Sequence, residues 1–264
     1  MPSSVPGDTS PLLSRPVARS ALLRLSQHPL LNRGARSVVR SLAARANYHV
    51  VRGMADAGQR PDVGRFLEAM PWSITSDYVR QGTAQLLCSD IVERGVPGAI
   101  GELGVFRGDF AYLLSGYLPD RPIHLFDTFE GFDSRDTVVD ARENLVDDFI
   151  DFSGTDPQRV RARFDDPSRV TLHPGWFPRS AAGAEDVTFA LVSIDADLYA
   201  PVLDGLTWFY ERLSPGGYIL VHDFNNSAFG GARKATREFQ ERSGATVVPI
   251  PDWGGTAVVA RPAA

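Results

Sequence analysis

The 264-residue sequence predicts an α/β fold built on a mostly parallel β-sheet. Short apolar runs of the kind that form buried strands alternate with longer segments of helical periodicity, which is the pattern of strand–helix–strand units. Several of these runs end in polar or charged residues, as expected where the carboxyl ends of parallel strands border a ligand site. The last two runs are separated only by "PDWGG", which is too short for a helical crossover. They therefore predict an antiparallel hairpin at one edge of the sheet.

The predicted elements follow one another from about residue 76 onward. "TSDYVRQGTAQLLCSDIVERG" predicts a helix that stops at Gly95, and it is followed by a strand "GAIGEL", a helix "DFAYLLSGYL" and a strand "IHLFD". After a polar insertion, "RVTLH" and "VTFALVSID" predict the third and fourth strands. "LYAPVLDGLTWFYERL" predicts a helix closed by a turn at "SPGG", and "YILVH" predicts the fifth strand. A helix "GARKATREFQERSG" and the strands "ATVVPI" and "GTAVVA" complete the pattern.

The composition is that of an ordinary globular protein, with 43% hydrophobic and 22% charged residues. Cys88 is the single cysteine, which excludes an intramolecular disulfide and a thiol-rich metal site, and its apolar helical surroundings predict a core position. No apolar run approaches the roughly 18 residues of a membrane span, and no basic and apolar N-terminus suggests a signal peptide. We therefore expect a cytoplasmic protein without a membrane partner.

The positive charge is concentrated near the N-terminus. Residues 1–65 contain ten arginines against three aspartates, whereas the remaining residues contain 17 basic against 29 acidic side chains. These arginines alternate with Leu, Val and Ala and lack interleaved aromatic residues, which favours amphipathic helices on an acidic body over a nucleic-acid partner. We predict a disordered Pro/Ser-rich tail over 1–14, a basic helical extension over 15–75, and a ligand-binding domain over 76–264.

Two strand ends early in the predicted sheet suit a nucleoside-containing cofactor. Glu102 ends the first strand, and Gly104 and Gly108 bracket a turn into the next helix, where the backbone can approach a ligand closely. The spacing is not G-x-G-x-x-G, so this segment alone is equally typical of a tight strand–helix turn. Asp127 ends the second strand, which is where such folds bind ribose hydroxyls. Together the loop and the acid favour cofactor binding.

Polar residues also end the fourth and fifth strands, in "SIDAD" and "VHDFNN". Carboxylate and amide oxygens at this density suit Mg²⁺ or Ca²⁺. A zinc site is disfavoured because no H-E-x-x-H motif or cysteine cluster accompanies them. We interpret Asp195 and Asp223 as site residues, and we interpret Asp197 and Asn226 as caps of the segments that follow them.

Four segments resemble the macrocin and mycinamicin O-methyltransferase family (TylF/MycF) over about residues 75–260: "GELGVFRGDF", "LFDTFEGF", "PGWFP" and "SIDADLYAPVLDGLTWFYERLSPGGYILVHDF". The resemblance implies a Rossmann-like class I methyltransferase, with a seven-stranded mostly parallel sheet whose final strand is antiparallel. It implies S-adenosyl-L-methionine as the cofactor and Mg²⁺ bound by Asp195 and Asp223. The cofactor-binding residues that it implies are Glu102, Gly104, Val105, Phe106, Gly108, Asp127, Thr128, Phe129, Gly175, Trp176 and Asp195.

One departure from the family pattern leaves the mechanism open. Many members carry two acids after the fifth strand, whereas this chain carries His222 and Asp223, and an imidazole is a poor ligand for Mg²⁺. Asp195 could polarise or deprotonate the acceptor hydroxyl directly, Asp195 and Asp223 could hold Mg²⁺ beside it, or His222 could act as a general base without metal. Asp195 and His222 are therefore the predicted catalytic residues.

The remaining predictions concern competing classes and partners. A short-chain reductase is excluded because its Tyr-x-x-x-Lys motif is missing, since Gly230 precedes the only lysine, Lys234, by four residues. A non-catalytic nucleoside-binding protein stays an alternative. The resemblance implies a small-molecule acceptor, such as a sugar hydroxyl on a secondary metabolite, and we expect a homo-oligomer. The polar insertion and residues 15–75 are the candidate acceptor contacts.

Overall fold

The computed structural model describes residues 77–146, 149 and 151–263. The predicted tail over 1–14 and the predicted basic extension over 15–75 lie outside these residues. Both therefore stay predictions, and the account below concerns the domain that follows them.

Seven strands and six α-helices alternate along the described residues. The strands are β1 (Ala99–Leu103), β2 (Ile123–Asp127), β3 (Val170–Pro174), β4 (Phe189–Ile194), β5 (Leu213–Val221), β6 (Thr246–Pro249) and β7 (Ala257–Ala260). The helices are α1 (Tyr78–Glu93), α2 (Asp109–Tyr117), α3 (Ser134–Glu143), α4 (Pro157–Arg161), α5 (Tyr199–Arg212) and α6 (Gly230–Ser243). None of these helices combines the length and the apolar character needed to cross a membrane.

The strands form one sheet in the order β3-β2-β1-β4-β5-β7-β6. β1 to β5 are parallel to one another, whereas β7 lies between β5 and β6 and is antiparallel to both. The predicted seven-stranded, mostly parallel sheet with an antiparallel final strand is thus confirmed, and so is the hairpin at one edge. The strand order reverses between β1 and β4, which is where open α/β sheets bind ligands.

Helices cover both faces of the sheet, which explains why its central strands are buried throughout. Every residue of β1 and β4 is buried. Successive side chains of β4 point to opposite faces, so that Leu191 joins the core beneath α1 and α2 while Val192 joins the core beneath α5 and α6. Cys88 of α1 is buried in the first of these cores, as predicted.

Two segments differ from the sequence-based expectation. β5 begins at Leu213, directly after α5, and the predicted turn at "SPGG" is instead a bulge within this strand. Phe189 pairs with Leu213 and Leu191 pairs with Tyr218, so a single β4 residue lies opposite four residues of β5. The polar insertion, to which no elements were assigned, contains α3 and α4, each of which begins after an aspartate that caps it.

Candidate functional site

The predicted site residues meet at the carboxyl edge of the sheet. Glu102 lies near the end of β1, Asp127 ends β2, Asp195 follows β4, and His222 and Asp223 follow β5. Because β1 and β4 are neighbours, the β1–α2 loop and Asp195 share the position where the strand order reverses.

The β1–α2 loop packs against the end of β4 through a glycine. Gly104 has a φ of +81°, and a Cβ at this position would lie 2.1 Å from the carbonyl oxygen of Asp195. Only glycine fits this approach. Phe106 follows with a positive φ of 48°, an uncommon conformation for a residue with a side chain. The loop therefore holds a fixed shape next to Asp195.

Asp127 holds the shape of two loops. Its Oδ2 accepts the backbone N–H groups of Val105 at 2.6 Å and Phe106 at 2.8 Å, and its Oδ1 accepts that of Phe129 at 2.7 Å. Thr128, between them, donates its hydroxyl to the carbonyl of Gly131. Asp127 was predicted to bind ribose hydroxyls, and these backbone bonds give it a structural role as well. Its Oδ1 accepts only one short bond, so this oxygen keeps the greater capacity to accept a hydrogen bond from a hydroxyl.

Glu102 is a buried acid with an unused oxygen. Its side chain is 2% exposed, and Oε2 has no partner among the described residues. Burial, followed by the charge of Asp195, raises the pKa of Glu102 well above its usual range, while Arg80 lowers it. An orphaned buried carboxylate oxygen of this kind suits a cationic or hydroxyl-bearing ligand.

The two predicted residues after β3 differ in their surroundings. Gly175 donates its N–H to the carbonyl of Asp127 at 2.9 Å, so it lies beside the end of β2, where the β2–α3 loop begins. Trp176 donates its indole N–H to Asp136 at 2.9 Å, and the guanidinium of Arg135 lies 4.1 Å from its ring centroid. The tryptophan therefore packs against the start of α3.

A single imidazole nitrogen bridges the two acids that follow β4 and β5. His222 Nδ1 lies 3.0 Å from Asp195 Oδ1 and 2.8 Å from Asp223 Oδ2. Burial lowers the pKa of His222, and so does the charge of Arg80. The two carboxylates outweigh both effects and raise this pKa to about 10. In turn, although burial raises the pKa of Asp195, His222 and Arg80 hold it well below its usual range. The cluster therefore contains an imidazolium between two carboxylates at neutral pH.

Arg80 is a site residue that the sequence analysis missed. Its Nη2 donates to Asp195 Oδ2 at 2.9 Å, and its guanidinium lies 4.0 Å from the ring centroid of Phe110. The residue stands within α1, 115 positions before its partner. No local motif distinguishes it from the many other arginines of the chain, so only the fold reveals it.

Asp197 and Asp223 both adopt left-handed backbone conformations, with φ of 58° and 56°. Burial, followed by the charges of Asp195 and Asp223, raises the pKa of Asp197 well above its usual range. The predicted capping role of Asp197 is wrong, because the cap of α5 is Leu198 without a side-chain bond.

Other side chains provide the local bonds that Asp197 does not. Asp140 Oδ2 accepts the first N–H of α5, from Tyr199, at 3.0 Å. Asn226 does organise the segment after it, since its Oδ1 accepts the N–H of Ala228 at 3.0 Å. Its amide also donates to Asp223 Oδ1 at 2.8 Å, which links this turn to the cluster.

The loop of the β6–β7 hairpin covers the imidazole. A Cβ at Gly254 would lie 2.5 Å from His222 Nε2, so the loop backbone packs directly against the ring. Asp77 Oδ2 accepts the N–H of Trp253 at 3.0 Å, and its Oδ1 accepts the N–H of Arg80 at the start of α1. The hairpin loop and α1 are thereby tied together above the cluster.

The site was also predicted to bind a cation. Ligand atoms of Asp195, His222 and Asp223 all lie within 4.8 Å of one another, a spacing that a metal ion can span. All four carboxylate oxygens, however, already have partners. Asp195 uses them for Arg80 and His222, and Asp223 uses them for His222 and Asn226.

The fold and the site together define a class of protein. The strand order with an antiparallel β7, the glycine loop after β1 and the acid after β2 are features of class I S-adenosylmethionine-dependent methyltransferases. The profile of the family described as macrocin-O-methyltransferase (TylF) matches residues 36–261. The chain therefore belongs to the macrocin O-methyltransferase family.

Curated relatives and solved structures agree with this membership. The chain is 29% identical over 190 residues to 8-demethyl-8-(2,3-dimethoxy-alpha-L-rhamnosyl)-tetracenomycin-C 4'-O-methyltransferase of Streptomyces olivaceus, covering 68% of this chain and 71% of the relative. It is 33% identical over 165 residues to mycinamicin III 3''-O-methyltransferase of Micromonospora griseorubida, covering 57% and 63%. The structure of the O-methyltransferase NovP superposes with a TM-score of 0.58 and 25% identity, over 71% of this chain and 81% of that one. The calicheamicin methyltransferase CalS11 shares the fold, with a TM-score of 0.55 and 19% identity over 97% and 99%.

Proposed function

We propose that this protein transfers the methyl group of S-adenosylmethionine to a sugar hydroxyl of a small-molecule secondary metabolite. The observation that carries the proposal is the position of Asp195. Its backbone packs on Gly104 of the loop predicted to hold the cofactor, and its carboxylate contacts His222 in the cluster that also contains Asp223. This position would let one residue contact both the methyl donor and the acceptor hydroxyl.

The sugar acceptor is supported by the names of relatives. The relative from Streptomyces olivaceus is named for methylation of a compound that bears a rhamnosyl group, and the one from Micromonospora griseorubida for methylation of mycinamicin III. The matches span 71% and 63% of those proteins, and the acceptor of this chain is proposed on that basis.

The residues around the β1–α2 loop fit the cofactor. Glu102 offers an unused buried oxygen, Gly104 permits a close backbone approach, and Asp127 Oδ1 has capacity for a ribose hydroxyl. The other residues proposed to contact it are Val105, Phe106, Gly108, Thr128, Phe129, Gly175 and Trp176. When bound, the cofactor supplies an electrophilic methyl group on a sulfonium. Alignment of this methyl group with the acceptor hydroxyl removes a large part of the activation barrier to methyl transfer.

We assign the hydroxyl contact to Asp195. An alcohol is a weak nucleophile until its proton is polarised or removed. The ionised Asp195 carboxylate would accept the hydrogen bond of the hydroxyl through a remaining lone pair. As the new carbon–oxygen bond forms and the methyl–sulfur bond breaks, the hydroxyl proton becomes strongly acidic and would pass to Asp195 and from there to water. His222 is a less suitable base, because its neighbouring acids raise its pKa to about 10 and the backbone of Gly254 covers Nε2. Its positive charge instead keeps Asp195 ionised and oriented.

The predicted Mg²⁺ fits this donor set poorly. A cation would have to displace Arg80, His222 or Asn226 from the carboxylate oxygens of Asp195 and Asp223, and His222 is itself a poor ligand for Mg²⁺. We therefore derive no step through a metal, and we propose the metal-independent version of the reaction.

The test is methyl transfer from labelled S-adenosylmethionine to rhamnosylated tetracenomycin and to mycinamicin III, measured after exhaustive chelation and again with Mg²⁺ added. We expect equal turnover under both conditions, and a loss of about 100-fold or more in Asp195→Asn. The matched control is Asp186→Asn, an exposed acid that precedes β4 and so lies at the end of this strand opposite Asp195, and it should keep wild-type turnover.

Three results would contradict parts of the proposal. Activity that disappears on chelation and returns with Mg²⁺ would restore the metal version. Normal turnover in Asp195→Asn would make the carboxylate structural. Cofactor binding without transfer to any glycoside would favour a non-catalytic nucleoside-binding protein. The homo-oligomer and the cytoplasmic location stay predictions alongside the small-molecule partner.

A further inference from the structure

A buried acid of α3 contacts the two helices that follow the loops of the cluster around His222. Asp140 is completely shielded from solvent, and its Oδ2 accepts the N–H of Tyr199, the first residue of α5, at 3.0 Å. Its Oδ1 lies against α6, because a Cβ at Gly231 would be 2.0 Å from this oxygen. One carboxylate therefore touches the starts of both helices.

The bond to α5 fixes one end of the loop that carries Asp195. The start of this loop is fixed because Asp195 donates its N–H to the carbonyl of Leu103 at 2.8 Å. Its end has no side-chain cap of its own, since the cap residue is Leu198, and Asp140 supplies the missing acceptor. Between the two ends, Asp197 has a left-handed backbone, a costly conformation that persists only where the surrounding structure holds it.

The residues that follow Asp140 hold the loop after β5 in the same way. Leu145 donates its N–H to the carbonyl of Asp140 at 2.9 Å and accepts that of Gly230, the first residue of α6, at 2.7 Å. Val146 then forms an antiparallel bridge with Phe229, the last residue of the loop. This loop, too, contains a residue with a left-handed backbone. The end of α3 therefore holds both loops that form the cluster.

We propose that Asp140 is a positioning residue for methyl transfer, which holds the loops after β4 and β5 so that Asp195 keeps its place beside the acceptor hydroxyl. The inference rests on the proposed function, because it assumes that Asp195 contacts this hydroxyl. Asp140 acts through the backbone of its neighbours and not on the reacting atoms. Since a displacement of about 1 Å at a reacting group can lower the rate about 100-fold, a loosened loop has a large effect on turnover.

The first experiment measures kcat and KM for methyl transfer in two backgrounds. In the wild type, we expect Asp140→Ala to lower kcat about 10- to 100-fold and to change KM less than about threefold, because positioning acts in the transition state. Asp140→Asn keeps an acceptor oxygen for Tyr199 and should restore most of the turnover. In Asp195→Asn, the same Asp140→Ala change should lower kcat less than about threefold, because the carboxylate that it positions is already absent. Equal losses in the two backgrounds would overturn the inference.

A control variant separates positioning from a general loss of stability. Arg121→Met removes two hydrogen bonds, at 2.7 and 2.8 Å, to the carbonyls of Val96 and Gly98. These residues precede β1, at the edge of the sheet opposite the cluster. We expect this variant to unfold at a lower temperature than the wild type while it keeps wild-type kcat. A loss of kcat in Arg121→Met as large as that in Asp140→Ala would overturn the inference.

Hydrogen exchange followed by mass spectrometry tests the loop contacts independently of turnover. In Asp140→Ala, we expect exchange about tenfold faster or more over residues 195–202 and 222–232, and unchanged exchange over residues 99–108. If Asp140→Ala fails to fold, Asp140→Ser, which lacks the carboxylate but keeps a polar side chain, takes its place. Unchanged exchange in both loops would overturn the inference. A difference in exchange in a protein whose wild type transfers no methyl group would overturn the proposed function itself.

Discussion

The three backbone bonds of Asp127 predict a large loss of stability when its carboxylate is removed. Asp127→Ala leaves the N–H groups of Val105, Phe106 and Phe129 without their acceptor. Val105 and Phe129 are buried, whereas Phe106 is partly exposed to water. Two buried donors at about 1–3 kcal/mol each give an expected loss of about 4 kcal/mol in the free energy of unfolding. For a domain of this size that corresponds to a fall of roughly 8–16 °C in the midpoint of thermal unfolding.

Thermal unfolding followed by circular dichroism, without cofactor, measures this loss. The matched control is Asp120→Ala, which removes an exposed acid and should change the free energy of unfolding by less than about 0.5 kcal/mol. Asp127→Asn keeps one acceptor oxygen, so it should lose about half as much as Asp127→Ala. An Asp127→Ala variant with the same midpoint of thermal unfolding as the control would refute the structural role of Asp127. An Asp127→Asn variant that stays folded but binds S-adenosylhomocysteine at least tenfold more weakly would also support the predicted ribose contact.

Two further predictions concern glycine and histidine positions. Gly254→Ala places a Cβ 2.5 Å from His222 Nε2, so we expect a loss of about 1–3 kcal/mol in the free energy of unfolding together with reduced turnover. The control Gly82→Ala meets no atom within 4 Å and should be neutral or stabilising. Equal melting temperatures of the two variants would contradict the packing of Gly254 on His222. Burial, followed by His173, lowers the pKa of His124 to about 4 from 6.5, so its neutral form contributes stability that is complete above pH 6.5 and is lost as the pH falls toward 4. Because the ring is partly exposed, we expect the free energy of unfolding in urea to fall by about 1–2 kcal/mol over this pH range. The dependence of this free energy on pH should be flatter in His124→Gln. Identical pH dependences of the two proteins would show that His124 is not its cause.

The sheet and the position of its acids could be predicted because they depend on local patterns and general topology. Apolar runs of four to nine residues mark the strands, and parallel strands bring their carboxyl ends to a common edge. Glu102, Asp127, Asp195 and Asp223 therefore meet at one edge, as expected.

What the sequence could not predict depends on contacts between distant segments. Arg80 reaches Asp195 across 115 positions, and Gly254 covers His222 from a hairpin whose loop gives no functional signal. The error at Asp197 has a different cause. An acid just before a helix is a preferred cap, but Leu198 occupies the cap position of α5, and Asp197, with a left-handed backbone, instead lies near the charges of Asp195 and Asp223.

The insertion of β7 between β5 and β6 has a consequence for the order in which the protein is made. Residues 257–260 emerge from the ribosome after every other strand, yet they supply the neighbour of β5 on the side away from β4. Until then β5 would be an open edge with unpaired backbone groups, and His222 would lack the loop that carries Gly254. A nascent chain can therefore assemble the acids that follow β1 to β5 early, but His222 gains the backbone that covers it only when β7 has paired with β5.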